Sequence, residues 1–269
     1  MSFDFIKVNQ RPGKPRTTGI TEIRGPYYTV IGKRYLEDIL ETMGDYVDAL
    51  KFAGGSFTLI SPNALQDIID TAHQHNVLVS TGGFIEYVLT QGKETVKKYV
   101  EQCKIAGFDI IEISSGFITL PTDDWLRLIE LVQQAGLKAK PEIGVQFGAG
   151  GSTSAAELRA EGIRDPAYAI QQARRFLAEG AYMIMIESEG ITENTDSWRT
   201  DVIARFMDEL VPEKLMFEAA EPAVFEWYIK TYGYNVNLFV DHSQIVQLEC
   251  LRSGIWGTKS TWGRIQEFE

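Results

Sequence analysis

Short apolar runs alternate with longer amphipathic segments along the chain, and this alternation repeats eight times. Apolar runs of about four to eight residues are typical of buried strands, whereas apolar residues spaced three or four apart are typical of helices. The predicted strands cover residues 19–24, 47–52, 77–81, 109–114, 137–143, 182–187, 215–218 and 236–240. The predicted helices cover residues 35–43, 62–75, 93–106, 123–135, 166–179, 197–210, 223–232 and 243–252.

This order of elements predicts an α/β fold, a (β/α)8 TIM barrel, because eight strand–helix units in about 250 residues suit a closed parallel sheet. Three successive predicted helices end before Gly107, Gly136 and Gly180, as helix C-termini prefer. The alternative, an open doubly wound sheet, would need a glycine-rich phosphate motif after the first strand, where this chain has GPYYTVIG. No linker divides the chain, so we expect a single domain over residues 1–269, with an N-terminal extension (1–18) and a C-terminal segment (253–269).

The composition of the chain limits the kinds of molecule that it is expected to bind. The chain has 26 Lys and Arg against 37 Asp and Glu, a net charge of −11, and no basic run, so we expect no nucleic-acid partner. No apolar stretch approaches the roughly 20 residues of a membrane helix, and the N-terminus does not resemble a signal peptide. We therefore expect a cytoplasmic protein without a membrane partner, with Cys103 and Cys250 as buried thiols in a reducing compartment. A homo-oligomer is compatible with a barrel of this size.

Ionisable side chains occur near the ends of six of the eight predicted strands. Side chains alternate between the two faces of a strand, and the outward face of a barrel packs beneath its helices, so the charged face should point inward. Burying an unpaired charge costs several kcal/mol, so these groups should pair with one another or bind ions. The candidate residues are Arg24, Lys51, Glu112, Lys140, Glu142, Glu187 and Glu218.

Three of these residues form a candidate metal site, because Glu142, Glu187 and Glu218 end consecutive strands. A set of oxygen ligands without His or Cys suits Mg²⁺ better than zinc, so we predict Mg²⁺ as the cofactor. Positive charge from Arg24, Lys51 and Lys140 would hold a small anionic, phosphorylated substrate. The alternative is a closed network of Lys–Glu pairs that binds no ligand.

Glycines and a helix start supply candidate phosphate sites. The sequences FAGGS and STGGF follow the second and third strands, where bare backbone N–H groups can approach an anion. The sequence DHSQ follows the eighth strand and begins a helix, a position at which barrels often bind phosphate. The alternative is that the glycines only make tight turns and that the histidine has a loop role. The candidate substrate-binding residues are Gly54, Gly55, Ser56, Gly82, Gly83, His242 and Ser243.

Eight short motifs occur in an order and spacing that resemble one family. They are YVDALKFAGGS, STGGFIEYV, GFDIIEISSG, KPEIG, MIMIESEG, LMFEAAEP, VNLFVDHS and LECLRSGIWG. From about residue 19 to residue 265 the chain resembles the phosphosulfolactate synthases, together with their plant and fungal heat-stress-associated relatives.

The resemblance implies a (β/α)8 barrel and a lyase that adds sulfite to phosphoenolpyruvate in a Mg²⁺-dependent reaction, which gives 2-phospho-3-sulfolactate as in coenzyme M biosynthesis. It implies that Mg²⁺ stabilises the aci-carboxylate formed when sulfite attacks C3. It also implies that Arg24 and Lys51 hold phosphate or sulfite and that a general acid protonates C2. The candidate catalytic residues are Lys140, Lys51, Arg24 and Glu112.

Two positions depart from the synthase pattern. Synthase-like members carry a lysine, a candidate general acid, two residues after the glycine of E-[IV]-G, whereas this chain reads EIGVQ and has Gln146 there. Gln cannot deliver a proton, so Lys140 is the substitute candidate. Synthases also place an Asp-Lys pair where this chain has Ile23 and Arg24. Two alternatives therefore stay open: another enolate-type reaction on a phosphorylated small acid, or a non-catalytic or altered-activity heat-stress-associated barrel.

Overall fold

Eight short parallel strands close into a barrel in the computed structural model of the chain, which describes residue 3 and residues 5–160 and 165–256. Each strand pairs with the next along the chain, and the last pairs with the first. The strands are β1 (Thr21–Arg24), β2 (Ala49–Lys51), β3 (Leu78–Ser80), β4 (Ile110–Ile113), β5 (Lys138–Ile143), β6 (Ile184–Ile186), β7 (Leu215–Glu218) and β8 (Leu238–Asp241). The predicted (β/α)8 barrel is confirmed, and each strand end lies within two residues of its predicted position.

Helices connect the strands and surround the barrel. They are α1 (Lys33–Met43), α2 (Pro62–Gln74), α3 (Ile85–Leu89), α4 (Lys93–Ala106), α5 (Thr122–Gln134), α6 (Ala155–Ala160), α7 (Ala167–Ala178), α8 (Thr200–Glu209), α9 (Pro222–Tyr232) and α10 (Ile245–Arg252). All eight predicted helices are present, with ends within three residues of the predictions. The sequence pattern does not predict α3 and α6, because helices of five and six residues are too short to reveal a periodic apolar face.

The strand register brings charged residues of neighbouring strands together. Arg24 of β1 lies beside Lys51 of β2, and Glu112 of β4 lies beside Lys140 of β5. The residues between the charged positions are apolar and belong to the large core between sheet and helices. Because side chains alternate along a strand, the charged residues face the barrel interior.

A second apolar cluster fills part of the barrel interior. Ile20, Met183, Met185, Met216 and Phe239 are each almost completely buried and pack against one another, apart from the core beneath the helices. These residues share the inward face of their strands with the charged groups. The interior is therefore filled by side chains, and it forms a core rather than a channel.

The N-terminal extension crosses the end of the barrel at which the strands begin. Arg11 donates to the carboxylate of Glu249, and both side chains are buried. Arg16 pairs with Asp48 at 2.8 Å, and Lys14 donates to backbone carbonyl oxygens ahead of β2 and β3 at 2.8 and 2.9 Å. The extension thus covers this end of the barrel.

Three further expectations concern the ends of the chain, the cysteines and the helices. The predicted C-terminal segment, residues 253–269, is described only as far as residue 256, and residues 257–269 lie outside the described residues. Both cysteines are free thiols; Cys103 is buried as expected, whereas Cys250 is only partly buried. In the described part of the chain, no helix combines the length and apolar character that crossing a bilayer would require.

Candidate active site

A cavity of about 710 Å³ opens at the end of the barrel where the strands finish. This is the end at which barrel enzymes carry their reactive groups, because the loops that follow the strands surround it. Six predicted site residues from six strands line this one cavity. They are Arg24, Lys51, Glu112, Glu142, Glu187 and Glu218.

The three candidate metal ligands converge. Glu142, Glu187 and Glu218 each place one carboxylate oxygen within 4.8 Å of the other two. One oxygen of Glu218 accepts a hydrogen bond from Arg24, and one oxygen of Glu187 accepts the backbone N–H of Glu189 at 2.9 Å. Glu142 makes no hydrogen bond with any residue that the structure describes. Glu142 also lines the cavity, so its carboxylate faces the cavity with no donor among the residues just described.

The pKa values of these carboxylates reflect their crowding. Burial, reinforced by the nearby charges of Glu112 and Glu218, raises the pKa of Glu142 to about 8. Burial, together with Glu218 and Glu142, also raises the pKa of Glu187 well above its ordinary value. A hard divalent cation would relieve this repulsion, and it prefers oxygen ligands. The donor set and its unpartnered carboxylate therefore fit Mg²⁺.

Beside the carboxylates, four buried charges alternate in sign through the barrel interior. Lys51 Nζ lies 2.9 Å from both carboxylate oxygens of Glu112. Lys140 Nζ lies 3.2 Å from one of those oxygens and 2.5 Å from Glu22. Burial acts to raise the pKa of Glu112, but Lys51 and Lys140 outweigh it and lower the pKa. Glu112 is therefore held as an anion between two cations.

Lys51 is the lysine of this network that reaches the cavity wall. Burial acts to lower the pKa of Lys51, but Glu112, Glu142 and Glu218 raise it above its ordinary value. An ammonium group has three donors, so one remains after both Glu112 oxygens are bonded. Lys51 can therefore present a permanent positive charge and a free donor to an anion.

Arg24 is a second cation that its neighbours hold in place. Its guanidinium donates to Glu218, and it lies 4.9 Å from the ring centroid of Tyr27 and 5.1 Å from that of Phe239. Tyr28 lies on the same guanidinium at 5.8 Å. Such cation–π contacts favour a fixed orientation. The cavity therefore has two preorganised cations beside its acidic cluster.

Lys140, the substitute candidate for the general acid, lies below the cavity. Its side chain is 1% exposed and it is absent from the residues that line the cavity. Its contacts are the two carboxylates of Glu22 and Glu112. Lys140 can therefore act on a ligand only through Glu112 and Lys51.

The predicted glycine sites divide into two groups. Gly54, Gly82 and Gly83 line the cavity, whereas Gly55 and Ser56 are not among its lining residues. A Cβ atom on Gly82 would lie 2.5 Å from the carbonyl oxygen of Phe52, so this loop also needs glycine for close packing. Gly82 is therefore consistent with both interpretations of the sequence, that the glycine makes a tight turn and that it exposes bare backbone at a ligand site.

The structure does not bring His242 and Ser243 to the cavity wall. His242 is buried, with Nδ1 3.1 Å from the carbonyl oxygen of Arg24 and Nε2 3.2 Å from the hydroxyl of Tyr35. Ser243 donates its N–H and its hydroxyl to Asp241 at 2.9 and 2.6 Å. The start of this helical segment is therefore capped by a carboxylate, which repels phosphate.

Gln146 lies on the cavity wall but is tied to the protein. Its side-chain amide donates to the carbonyl oxygen of Leu158 at 3.2 Å, and its oxygen lies where a side chain on Gly190 would be. The position at which the family resemblance expects a lysine is therefore taken by an amide that connects the loop after β5 with α6.

Sequence reasoning missed two carboxylates, Glu86, which lines the cavity, and Glu189, which is not a lining residue but binds the loop after β5. Glu86 lies in α3 and lines the cavity, where it accepts from the hydroxyl of Ser114 and from two backbone N–H groups of the loop after β4, at 2.7 to 3.0 Å. Glu189 accepts from three backbone N–H groups of the loop after β5. Both carboxylates stabilise loops and neither lies at the end of a strand. The alternation of side chains along the strands therefore could not reveal these two residues. The visible signals were the motifs FIEYV and ESEG.

Solved structures of low sequence identity have the same fold. The carboxyl transferase domain of Rhizobium etli pyruvate carboxylase with pyruvate superposes with a TM-score of 0.64 at 11% identity, over 93% of this chain and 46% of that one. A 2,3-dimethylmalate lyase superposes with a TM-score of 0.51 at 14% identity, over 91% of this chain and 89% of that one. At these identities the likeness concerns the fold alone.

Sequence comparison is more specific. The chain is 44% identical, over 92% of its length and 90% of the relative, to Protein HEAT-STRESS-ASSOCIATED 32 of Arabidopsis thaliana. It is 26% identical, over 98% of each chain, to a phosphosulfolactate synthase of Methanothermobacter thermautotrophicus. The sequence model of the (2R)-phospho-3-sulfolactate synthase (ComA) family matches residues 9–258. A match over nearly the whole barrel means that this chain belongs to the (2R)-phospho-3-sulfolactate synthase family.

Proposed function

We propose that this protein is a Mg²⁺-dependent lyase that adds sulfite to phosphoenolpyruvate and forms 2-phospho-3-sulfolactate. The observation that carries the proposal is the convergence of Glu142, Glu187 and Glu218 within 4.8 Å, beside two fixed cations in one cavity. Membership of the synthase family supports the choice of reaction.

In this proposal the three carboxylates hold the metal. When bound, the ion supplies positive charge that stabilises the negative charge developing on the carboxylate of an organic acid. Arg24 already holds one oxygen of Glu218, which orients that carboxylate. The backbone N–H of Glu189 does the same for Glu187. These contacts limit the rearrangement that metal binding would require.

Arg24 and Lys51 bind the anionic groups of the substrates. The planar guanidinium of Arg24 suits the paired oxygens of a phosphate or sulfite, and Lys51 adds a compact charge with one unused donor. The whole chain has a net charge of −11, so these local cations must offset a repulsive field. Their fixed positions lower the cost of ordering them around the ligand.

A second candidate function is another enolate-type reaction at the same metal site, one that needs no lysine acid. Two observations favour it. Gln146 occupies the place of the expected lysine and is bonded to Leu158, and Lys140 lies beneath the cavity wall. Lys51 reaches the wall, but a raised pKa makes it a poor proton donor near neutral pH.

The first test is turnover with matched variants. We expect the wild-type protein to form 2-phospho-3-sulfolactate from phosphoenolpyruvate and sulfite, detected by phosphorus NMR, only when Mg²⁺ is present. Glu142→Gln should lower the rate at least about 100-fold and abolish the rise in Tm that Mg²⁺ causes, because a metal ligand is lost. Glu213→Gln, the same change at the opposite end of the barrel, serves as the control and should behave as wild type.

The outcomes separate the two candidate functions. A Glu142→Gln variant that keeps full activity and its response to Mg²⁺ would remove the metal assignment. A wild-type protein whose Tm rises with Mg²⁺ but which leaves phosphoenolpyruvate and sulfite unchanged would favour the second candidate.

A further inference from the structure

The loop between β5 and α6 is curved so that several of its N–H groups point at one oxygen. Gly148, Gly150 and Ser152 have φ angles of 80°, 96° and 58°, in the left-handed region. With this curvature, the backbone N–H groups of residues 150, 151 and 153 reach Glu189 Oε2 at 2.8, 3.3 and 3.3 Å. Successive N–H groups in such a concave turn form an anion-binding nest. Here the bound anion is a carboxylate of the chain itself.

Glu189 contacts the candidate metal site through its backbone. Its N–H donates to Glu187 Oε1 at 2.9 Å, while its own side chain is turned towards the loop. The residue is 4% exposed, and its second oxygen accepts from the side-chain amide of Asn194 at 3.2 Å. One buried residue therefore joins the loop after β5 to a candidate metal ligand, Glu187, directly after β6.

The loop itself packs on the same ligand. A Cβ atom on Gly150 would lie 2.8 Å from Glu187 Oε2, so the loop backbone lies directly against this carboxylate, and the φ angle of 96° favours glycine at this position. Ala149 and Gly150 also form part of the cavity wall. Glu187 is thus held from two sides, by the N–H of Glu189 and by the glycine loop that Glu189 binds.

We infer that Glu189 is a positioning residue that couples the β5–α6 loop to the metal site, an inference that rests on the metal site of the proposed function. The three N–H groups converge on one carboxylate oxygen, and the bond from Gly150, at 2.8 Å, has the length of a charge-assisted hydrogen bond. They hold the loop against Glu187 and fix the direction of its carboxylate. The arrangement also means that the glycine loop serves the chain's own carboxylate rather than a phosphate of the substrate.

The test compares Glu189→Gln with Glu193→Gln in the full-length protein. Glu193 lies in the same loop after β6, but its carboxylate accepts from Ser188 and not from the glycine loop, so it controls for the loss of one negative charge. Mg²⁺ affinity is measured by calorimetric titration. Hydrogen exchange of the peptide covering residues 147–158 is measured by mass spectrometry with and without Mg²⁺.

We expect Glu189→Gln to bind Mg²⁺ at least about 10-fold more weakly than wild type, as is typical when a group that orients a metal ligand is changed. The amides of residues 150, 151 and 153 should exchange faster, and Mg²⁺ should no longer slow their exchange. Glu193→Gln should match wild type in both measurements. If Glu189→Gln does not fold, Gly150→Ala tests the packing of the loop against Glu187 instead, and it should also weaken Mg²⁺ binding.

The possible failures are distinct. If wild type and Glu189→Gln bind Mg²⁺ equally well, the coupling is refuted and the proposed function stands. If wild type does not bind Mg²⁺ at all, the metal site of the proposed function is refuted, and the coupling is refuted with it.

Discussion

At the scale of single residues, Glu142 differs from the other carboxylates of the cavity in its contacts. Glu187 and Glu218 each accept a hydrogen bond from a neighbour, and Glu112 is paired with two lysines. Glu142 has no such partner among the described residues, and its pKa is raised to about 8 by burial and then by Glu112. A cation bound beside Glu142 would therefore offset both its burial and the repulsion from Glu112.

This raised pKa predicts a pH dependence of stability in the metal-free protein. Between the ordinary value of 4.5 and the folded value of about 8, the unfolded chain has lost the proton of Glu142 while the folded chain keeps it. The contribution of Glu142 to the free energy of unfolding therefore decreases as the pH rises through this window, and levels off above it. Because Mg²⁺ must displace the proton, it should raise Tm more at about pH 9 than at about pH 6.

Thermal unfolding across this pH range, with and without Mg²⁺, checks the prediction. The Glu142→Gln variant should lose this part of the pH dependence, since its side chain does not titrate. An unchanged pH profile in that variant would show that another group is responsible.

At the scale of elements, the sequence pattern predicts the repeated strands and long helices. It does not predict features that occur only once, such as a short helix or a single loop contact. The eight strands and eight long helices follow from apolar periodicity, and the convergence of strand-end charges follows from alternation along each strand. The short helices α3 and α6 carry no visible period. Which loop residues reach the cavity depends on backbone turns: Gly54 lines it, whereas Ser56 and His242 do not. The bonds of Glu86 and Glu189 to distant N–H groups leave no spacing signal.

The loops after β2 and β3 pack closely against each other, and adding a single methyl group at Gly82 tests how tight this packing is. In Gly82→Ala the added Cβ would lie 2.5 Å from the carbonyl oxygen of Phe52 and 2.6 Å from the backbone nitrogen of Gly54. Backbone atoms cannot move aside like a flexible side chain, so we expect a loss of about 1–3 kcal/mol in the free energy of unfolding. Chemical denaturation measures it. Gly13→Ala, which has no atom within 4 Å of the new Cβ, should change stability little, and equal effects would contradict the argument.

At the scale of the whole molecule, the N-terminal extension makes residues far apart in sequence depend on one another. Arg11 reaches Glu249 of α10 and the backbone carbonyl oxygen of Gly19 at the start of the barrel. Arg11 and Glu249 have side chains only 2% and 6% exposed. The extension therefore joins the first and last parts of the described barrel through a buried ion pair.

Replacing one partner of this pair should be costly. In Arg11→Met the carboxylate of Glu249 would stay buried without its cation, and we expect the free energy of unfolding to fall by about 3–5 kcal/mol. The measurement is the midpoint of denaturant unfolding. Arg34→Met removes an exposed arginine from α1 and is the matched control. Equal midpoints for the two variants would mean that the extension contributes nothing to the stability of the barrel.

Because the N-terminal extension lies across the end of the barrel where the strands begin, it affects how small molecules can reach the cavity. Among the described residues, the extension lies across one end of the barrel and side chains fill its interior, and the cavity opens at the end where the strands finish. In the proposed reaction, both substrates would enter and the product would leave through this opening. A product that dissociates slowly would then block both substrates, so product release, as well as the chemical step, would limit the turnover rate of the proposed reaction.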